Sequence, residues 1–137
     1  KYAFMNQIFF NIYLKLIINK FIMTLFCQEP SKGNIEYKRN LERFTRDKFE
    51  KYSTQLKYRI IEGHGKAIYI IGINDNGKVY GLENNSISGT INLVHKISFN
   101  INSYVNQILK CHYLDKVFLI FSIKSKFDMD TLPFICN

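Results

Sequence analysis

Residues 34–40 set Ile35, Tyr37 and Arg39 against Glu36, Lys38 and Asn40. That two-residue period suits a strand with one face toward a core. Thr45 then stands where a helix N-cap is needed, and Asp47 falls in the first turn, where the helix dipole favours negative charge. Phe49, Tyr52, Leu56 and Ile60 recur at intervals of three or four, one apolar stripe of an amphipathic helix that Gly63 ends. Arg46, Lys48, Lys51, Lys57 and Arg59 are assigned to its solvent face. Residues 67–73 form a short apolar run of β-branched and aromatic side chains bounded by glycine, which predicts a buried strand. Asn74-Asp75-Asn76-Gly77 has the residues of a tight turn, so residues 78–82 are expected to return as the second strand of a hairpin.

Ser86 is expected to cap a second helix reaching about residue 96, with Ile87, Ile91 and Val94 on its buried face. Residues 104–112 and 116–124 read as an antiparallel hairpin turned at Tyr113-Leu114-Asp115. Its second arm, Val117-Phe118-Leu119-Ile120-Phe121, is apolar enough to demand burial. Residues 128–137, with Pro133 and Phe134, suit a last short extended piece. The order strand, helix, strand, strand, helix, strand, strand predicts an α+β fold, two helices packed on one mostly antiparallel sheet.

The first residues break this regularity. Residues 8–26 are strongly apolar, but Asn11, Lys15, Asn19 and Lys20 interrupt them. Two central lysines argue against a membrane span, and no small-residue cleavage site follows. The breaker cluster Glu29-Pro30-Ser31-Lys32-Gly33 separates this run from the patterned chain. Residues 1–28 are therefore expected to be an N-terminal extension or an amphipathic anchor, and 29–137 a single domain.

Charge changes the picture more than composition does. The formal net charge is +8, from 19 basic and 11 acidic side chains. Residues 31–66 hold 10 Lys or Arg against 5 Asp or Glu, or +5 of that total. Such a balance favours a polyanionic partner, nucleic acid or an anionic membrane surface. Cys27, Cys111 and Cys136 lie far apart and are odd in number, which suits reduced thiols in a cytoplasmic protein. Cys111-His112 has no second ligand pair to make a zinc site.

Several blocks together resemble a known family. Gly33-Asn34-Ile35-Glu36-Tyr37-Lys38, Gln55-Leu56-Lys57-Tyr58-Arg59, Glu62-Gly63-His64-Gly65-Lys66-Ala67-Ile68-Tyr69, Ile71-Gly72-Ile73-Asn74-Asp75-Asn76-Gly77 and Gly81-Leu82 are similar to the N-terminal domain of the GTP-binding protein 1 and 2 family. Those are eukaryotic translational GTPases related to the elongation factors that deliver aminoacyl-tRNA. The chain has no G-x-x-x-x-G-K-[ST] sequence, so the expectation is the leader domain without its GTPase. A stand-alone domain of this kind also resembles the microsporidian dormancy factors, which occupy the tRNA exit site of an idle ribosome. The Asn-, Ile- and Lys-rich composition suits that source. More distantly, Ile35-Glu36-Tyr37-Lys38 and Ile70-Ile71-Gly72-Ile73-Asn74-Asp75 resemble the Schlafen AlbA-like domain, some of whose members cleave RNA with a carboxylate cluster. Glu36 and Asp75 match that pattern, but the position five residues before Glu36 is Ser31.

The resemblance implies a non-enzymatic ribosome-binding dormancy factor that fills a tRNA site through rRNA and ribosomal-protein contacts. It implies no cofactor, no metal, no small-molecule substrate, no DNA and no membrane partner. Lys38, Arg39, Arg43, Arg46, Lys57, Arg59 and Lys66 are the candidate phosphate ligands. His64 joins them because its flanking glycines would expose backbone N–H groups to a phosphate. Tyr58 lies off the apolar stripe and is the candidate for stacking on a base. The alternative is a metal-dependent ribonuclease acting on tRNA or rRNA through Glu36 and Asp75. Against it, a strand Glu and a turn Asp are more often an ion-pair partner and a turn former.

Overall fold

The structure, a computed structural model, describes residues 26–41 and 45–127. The apolar run before Phe26, Arg43 and the tail from residue 128 lie outside the described residues. Six regular elements follow: β1 (Ile35–Lys38), α1 (Arg46–Glu62), β2 (Lys66–Ile71), α2 (Ile87–Asn100), β3 (Ser103–Tyr113) and β4 (Lys116–Ser125). A single 3-10 turn, Asn84–Ser86, leads into α2. The four strands form one sheet in the order β1-β2-β4-β3.

The expected α+β architecture is present, with a mixed sheet. β2–β4 and β3–β4 are antiparallel, whereas β1 pairs with β2 in parallel, Glu36 opposite Tyr69 and Lys38 opposite Ile71. The parallel pair follows from the helix between its strands, which carries the chain back to the starting end of the sheet. The Thr45 hydroxyl caps α1 by accepting from Lys48 N (3.2 Å).

One predicted element takes another form. Residues 78–82 do not return as a sheet strand, because β4 occupies the antiparallel edge of β2. Only an isolated bridge between Ile73 and Val79 closes the turn. Gly72 causes the departure: its φ of 107° turns the chain out of β2, and its carbonyl accepts from Tyr80 N (2.8 Å) and Gly81 N (2.9 Å). Residues 73–79 thus make a small flap, and Ile73 and Val79 pack with Tyr37, Ile68, Ile70, Phe118 and Ile120.

The sheet is consequently covered on both faces. Leu56, Ile60, Val94 and Ile97 of the helices pack on Tyr69, Ile71, Leu119 and Phe121. The flap and the segment entering β1 cover the other face, which explains the uninterrupted apolar run in β4. Phe26 N donates to Gly77 O (3.2 Å) and Glu29 N to Asp75 O (2.7 Å), so the entering chain is clasped by the flap. Phe26 lies edge-on to Phe118, centroids 5.8 Å apart, and Cys27 O accepts from the Tyr37 hydroxyl at 3.0 Å. Phe26, placed before the domain by the sequence reading, packs on its sheet, and Cys27 meets it through its carbonyl.

Candidate nucleic-acid interface

Arg59 occupies the last turn of α1 and is buried, with 5% of its surface exposed. Its position between Leu56 and Ile60 aims it at β1 rather than at solvent. Nε donates to Glu36 Oε1 at 2.9 Å, Nη1 to Gly33 O at 3.1 Å and Nη2 to Pro30 O at 2.8 Å. Three of its five N–H donors are spent inside the protein, and burial keeps the other two from a phosphate in solution. The placement of Arg59 on the solvent face, from which it would meet RNA, is therefore corrected: it ties α1 to the chain entering β1.

Lys38 belongs to the same network. Its Nζ lies 3.3 Å from Glu36 Oε2 and 5.4 Å from the centre of the Tyr52 ring. Both Glu36 oxygens are thus occupied by cations, and the carboxylate is buried. Asp75 is exposed in the flap, and among the described residues no group of three His, Cys, Asp or Glu side chains could hold a metal ion. The nuclease alternative needs Glu36 available to a cation, and the geometry commits it to Arg59 and Lys38 instead.

The turn after α1 is also built for the helix. Gly63 N donates to Arg59 O and Gly65 N to Ile60 O, each at 2.9 Å. His64 N and Lys66 N donate to Ile61 O and Gly63 O. All four amides are spent on closing a helix C-terminus, whose dipole end is negative. The expected phosphate cradle beside His64 is therefore not formed. A Cβ on Gly63 would lie 1.9 Å from Lys66 O, so this glycine serves close backbone approach. His64 itself (φ 52°) and Lys66 point outward and are exposed.

Arg39, Arg46, Lys57, His64 and Lys66 remain as exposed cations or potential cations from the predicted set. They do not form one cluster. Arg39 follows the carboxyl end of β1, while Lys66 opens β2, and the parallel register puts them at opposite ends of that pair. Arg39 stacks over the Tyr80 ring at 4.9 Å, a contact that leaves it at the surface. Tyr58 is 43% exposed and donates its hydroxyl to Glu62 Oε1 at 3.1 Å. Along α1 the exposed cations Arg46, Lys51 and Lys57 are interleaved with Asp47, Glu50 and Glu62, so this face is close to neutral.

Glu29 was not anticipated. Its Oε2 accepts from Tyr37 N at 2.6 Å, beside the Arg59–Glu36 pair. Burial, with the nearby charges of Glu36 and Asp75, raises its carboxyl above the ordinary carboxylate range despite the Tyr37 hydrogen bond. The available signal was the spacing of an acid just ahead of a strand that carries Glu36 and Lys38.

Among curated proteins the chain is similar to GTP-binding protein 2 of mouse and of human, 36% identical over 80 residues. The matched stretch is 58% of this chain and 13% of those proteins. It is also similar to the Uncharacterized protein R625 of Acanthamoeba polyphaga mimivirus, 35% identical over 99 residues, covering 72% of this chain and 52% of that one. No family model matches, and no solved structure matches significantly. The chain thus carries a domain related to part of GTP-binding protein 2. No described helix is long and apolar enough to cross a membrane.

Proposed function

We propose that this chain is a non-enzymatic ribosome-binding factor that occupies a tRNA site, the exit site being the one the family resemblance favours, during dormancy. The similarity to GTP-binding protein 2 over 80 residues carries this reading. Resemblance to that family implies a role in translation, which supports the reading. A net charge of +8 and the outward-facing Arg39, Arg46, Lys57 and Lys66 suit an rRNA partner.

The test is sedimentation of the full chain with ribosomes through sucrose at low and high salt. Association that falls steeply with salt is expected, because phosphate contacts release counterions. Arg46→Glu with Lys57→Glu should weaken it and flatten its salt dependence, at little cost to folding since both sites are exposed. A protein found only in the light fractions at low salt overturns the reading. Cleavage of tRNA in magnesium that Asp75→Asn abolishes would make the protein an enzyme instead.

A further inference from the structure

The chain from Ile87 to Phe127 contains five lysines and one carboxylate, Asp115, which sits at the far turn of the β3–β4 hairpin. Where α2 ends and β3 begins, an open groove of ≈ 530 Å³ lies between the two helices and the end of β4. Its walls include Phe49 of α1, His95, Lys96 and Phe99 of α2, Tyr104 of β3 and Lys126. Among the described residues no carboxylate lines it. That volume falls within the roughly 300–1,000 Å³ of small-ligand clefts.

Phe99 is the unusual wall. It is 72% exposed, and the Lys126 ammonium sits 5.0 Å from the centre of its ring. The groove is also firmly built. Lys126 N donates to Asn102 O (2.9 Å), and Asn100 Nδ2 donates to Ser53 Oγ (3.0 Å), which hold the end of β4 and the end of α2 in place.

We propose that this groove takes one unpaired nucleotide of RNA, its base stacked on Phe99 and its phosphate met by Lys126. An aromatic face beside a cation, with no acid among the described walls, matches a base and its phosphate together. A base–aromatic stack is stronger than an exposed cation–π contact, so the base displaces the ammonium from the ring toward the phosphate. Double-stranded RNA hides its base faces in its own stack and does not fit. This rests on the RNA-binding reading above, but on residues separate from the exposed cations of α1 and β2.

The experiment titrates the full chain against a fluorescently labelled single-stranded oligouridine of about ten nucleotides, a length within the range one small domain covers. Phe99→Ala should weaken binding roughly fivefold to a hundredfold and leave its salt slope unchanged, while Phe99→Tyr keeps it. Lys126→Gln should weaken binding and flatten the slope. Equal binding by Phe99→Ala, or duplex binding as tightly as single strand, overturns the proposal. So does the absence of oligonucleotide binding; if Phe99→Ala then still weakens sedimentation with ribosomes, a protein segment fills the groove. Should Arg46→Glu with Lys57→Glu abolish ribosome association while Phe99→Ala leaves oligonucleotide affinity intact, the groove fails alone. Phe99-dependent oligonucleotide binding without ribosome association leaves the groove standing and removes the ribosomal reading.

Discussion

A guanidinium can be buried only where its donors find acceptors, and Arg59 has Glu36 and two carbonyls, Gly33 O and Pro30 O. The pair is costly to break from one side, because the remaining charge stays out of water. Arg59→Leu should therefore cost about 3 kcal/mol by urea denaturation, with Lys38 limiting the damage. Glu36→Leu added to it should recover part of the loss. A single variant within a few tenths of a kcal/mol of the parent would show that Glu36 is solvated after all. Glu29 behaves differently, since its carboxyl is raised by burial first and then by Glu36 and Asp75. Folding takes up a proton there, so its contribution to stability is fullest below the ordinary carboxylate pKa and falls as pH rises through the raised value. Glu29→Gln keeps an acceptor for the Tyr37 amide. It should melt above the parent near neutral pH and lose that advantage at about pH 4, near the ordinary Glu value. Parallel pH profiles for the two proteins would contradict the assignment.

At the scale of elements, α1 was readable because its cap, its acidic first turn and its stripe at Leu56 and Ile60 all agree. Arg59 was not, since charge assigns a residue to solvent unless a partner is known, and Glu36 lies 23 residues away. α2 was legible from its local periodicity and β4 from its apolar run. The expected Ser86 cap is not made, because its hydroxyl donates back to Glu83 O (2.8 Å). The hairpin after β2 misled because its turn chemistry is real while its strand partner is set by β4, a distant segment. Of the candidate site, the exposed cations could be named from sequence but their separation could not, because it depends on the parallel register of β1 and β2. Gly72 marks the divergence. A Cβ there would sit 2.9 Å from Phe118 Cβ, at a φ of 107° that side chains rarely adopt. Gly72→Val should cost at least about 2 kcal/mol through overpacking and backbone strain together. Thermal melts would register it, and a variant as stable as the parent would mean the flap moves freely away from Phe118.

For the whole molecule, the question is what covers the sheet face that carries no helix. The flap supplies Ile73 and Val79, and the entering chain supplies Phe26. Its ring is tilted against Tyr37 at 6.0 Å and set edge-on to Phe118 at 5.8 Å, between β1 and β4. Removing this ring uncovers apolar surface on both strands, and its partial exposure sets the cost below that of a fully buried Phe. Phe26→Ala should therefore lose about 2 kcal/mol, or roughly 10 °C in melting temperature for a domain of this size. A chain starting at Pro30 also loses the Glu29–Asp75 and Phe26–Gly77 backbone bonds and should melt lower still. Because Arg59 donates to Pro30 O, that truncation reaches the buried ion pair as well. Melting temperatures unchanged in both variants would place Phe26 outside the cooperative unit, with the flap alone covering Tyr37 and Phe118. Graded losses, the truncation exceeding Phe26→Ala, would make the segment entering β1 part of the folded domain.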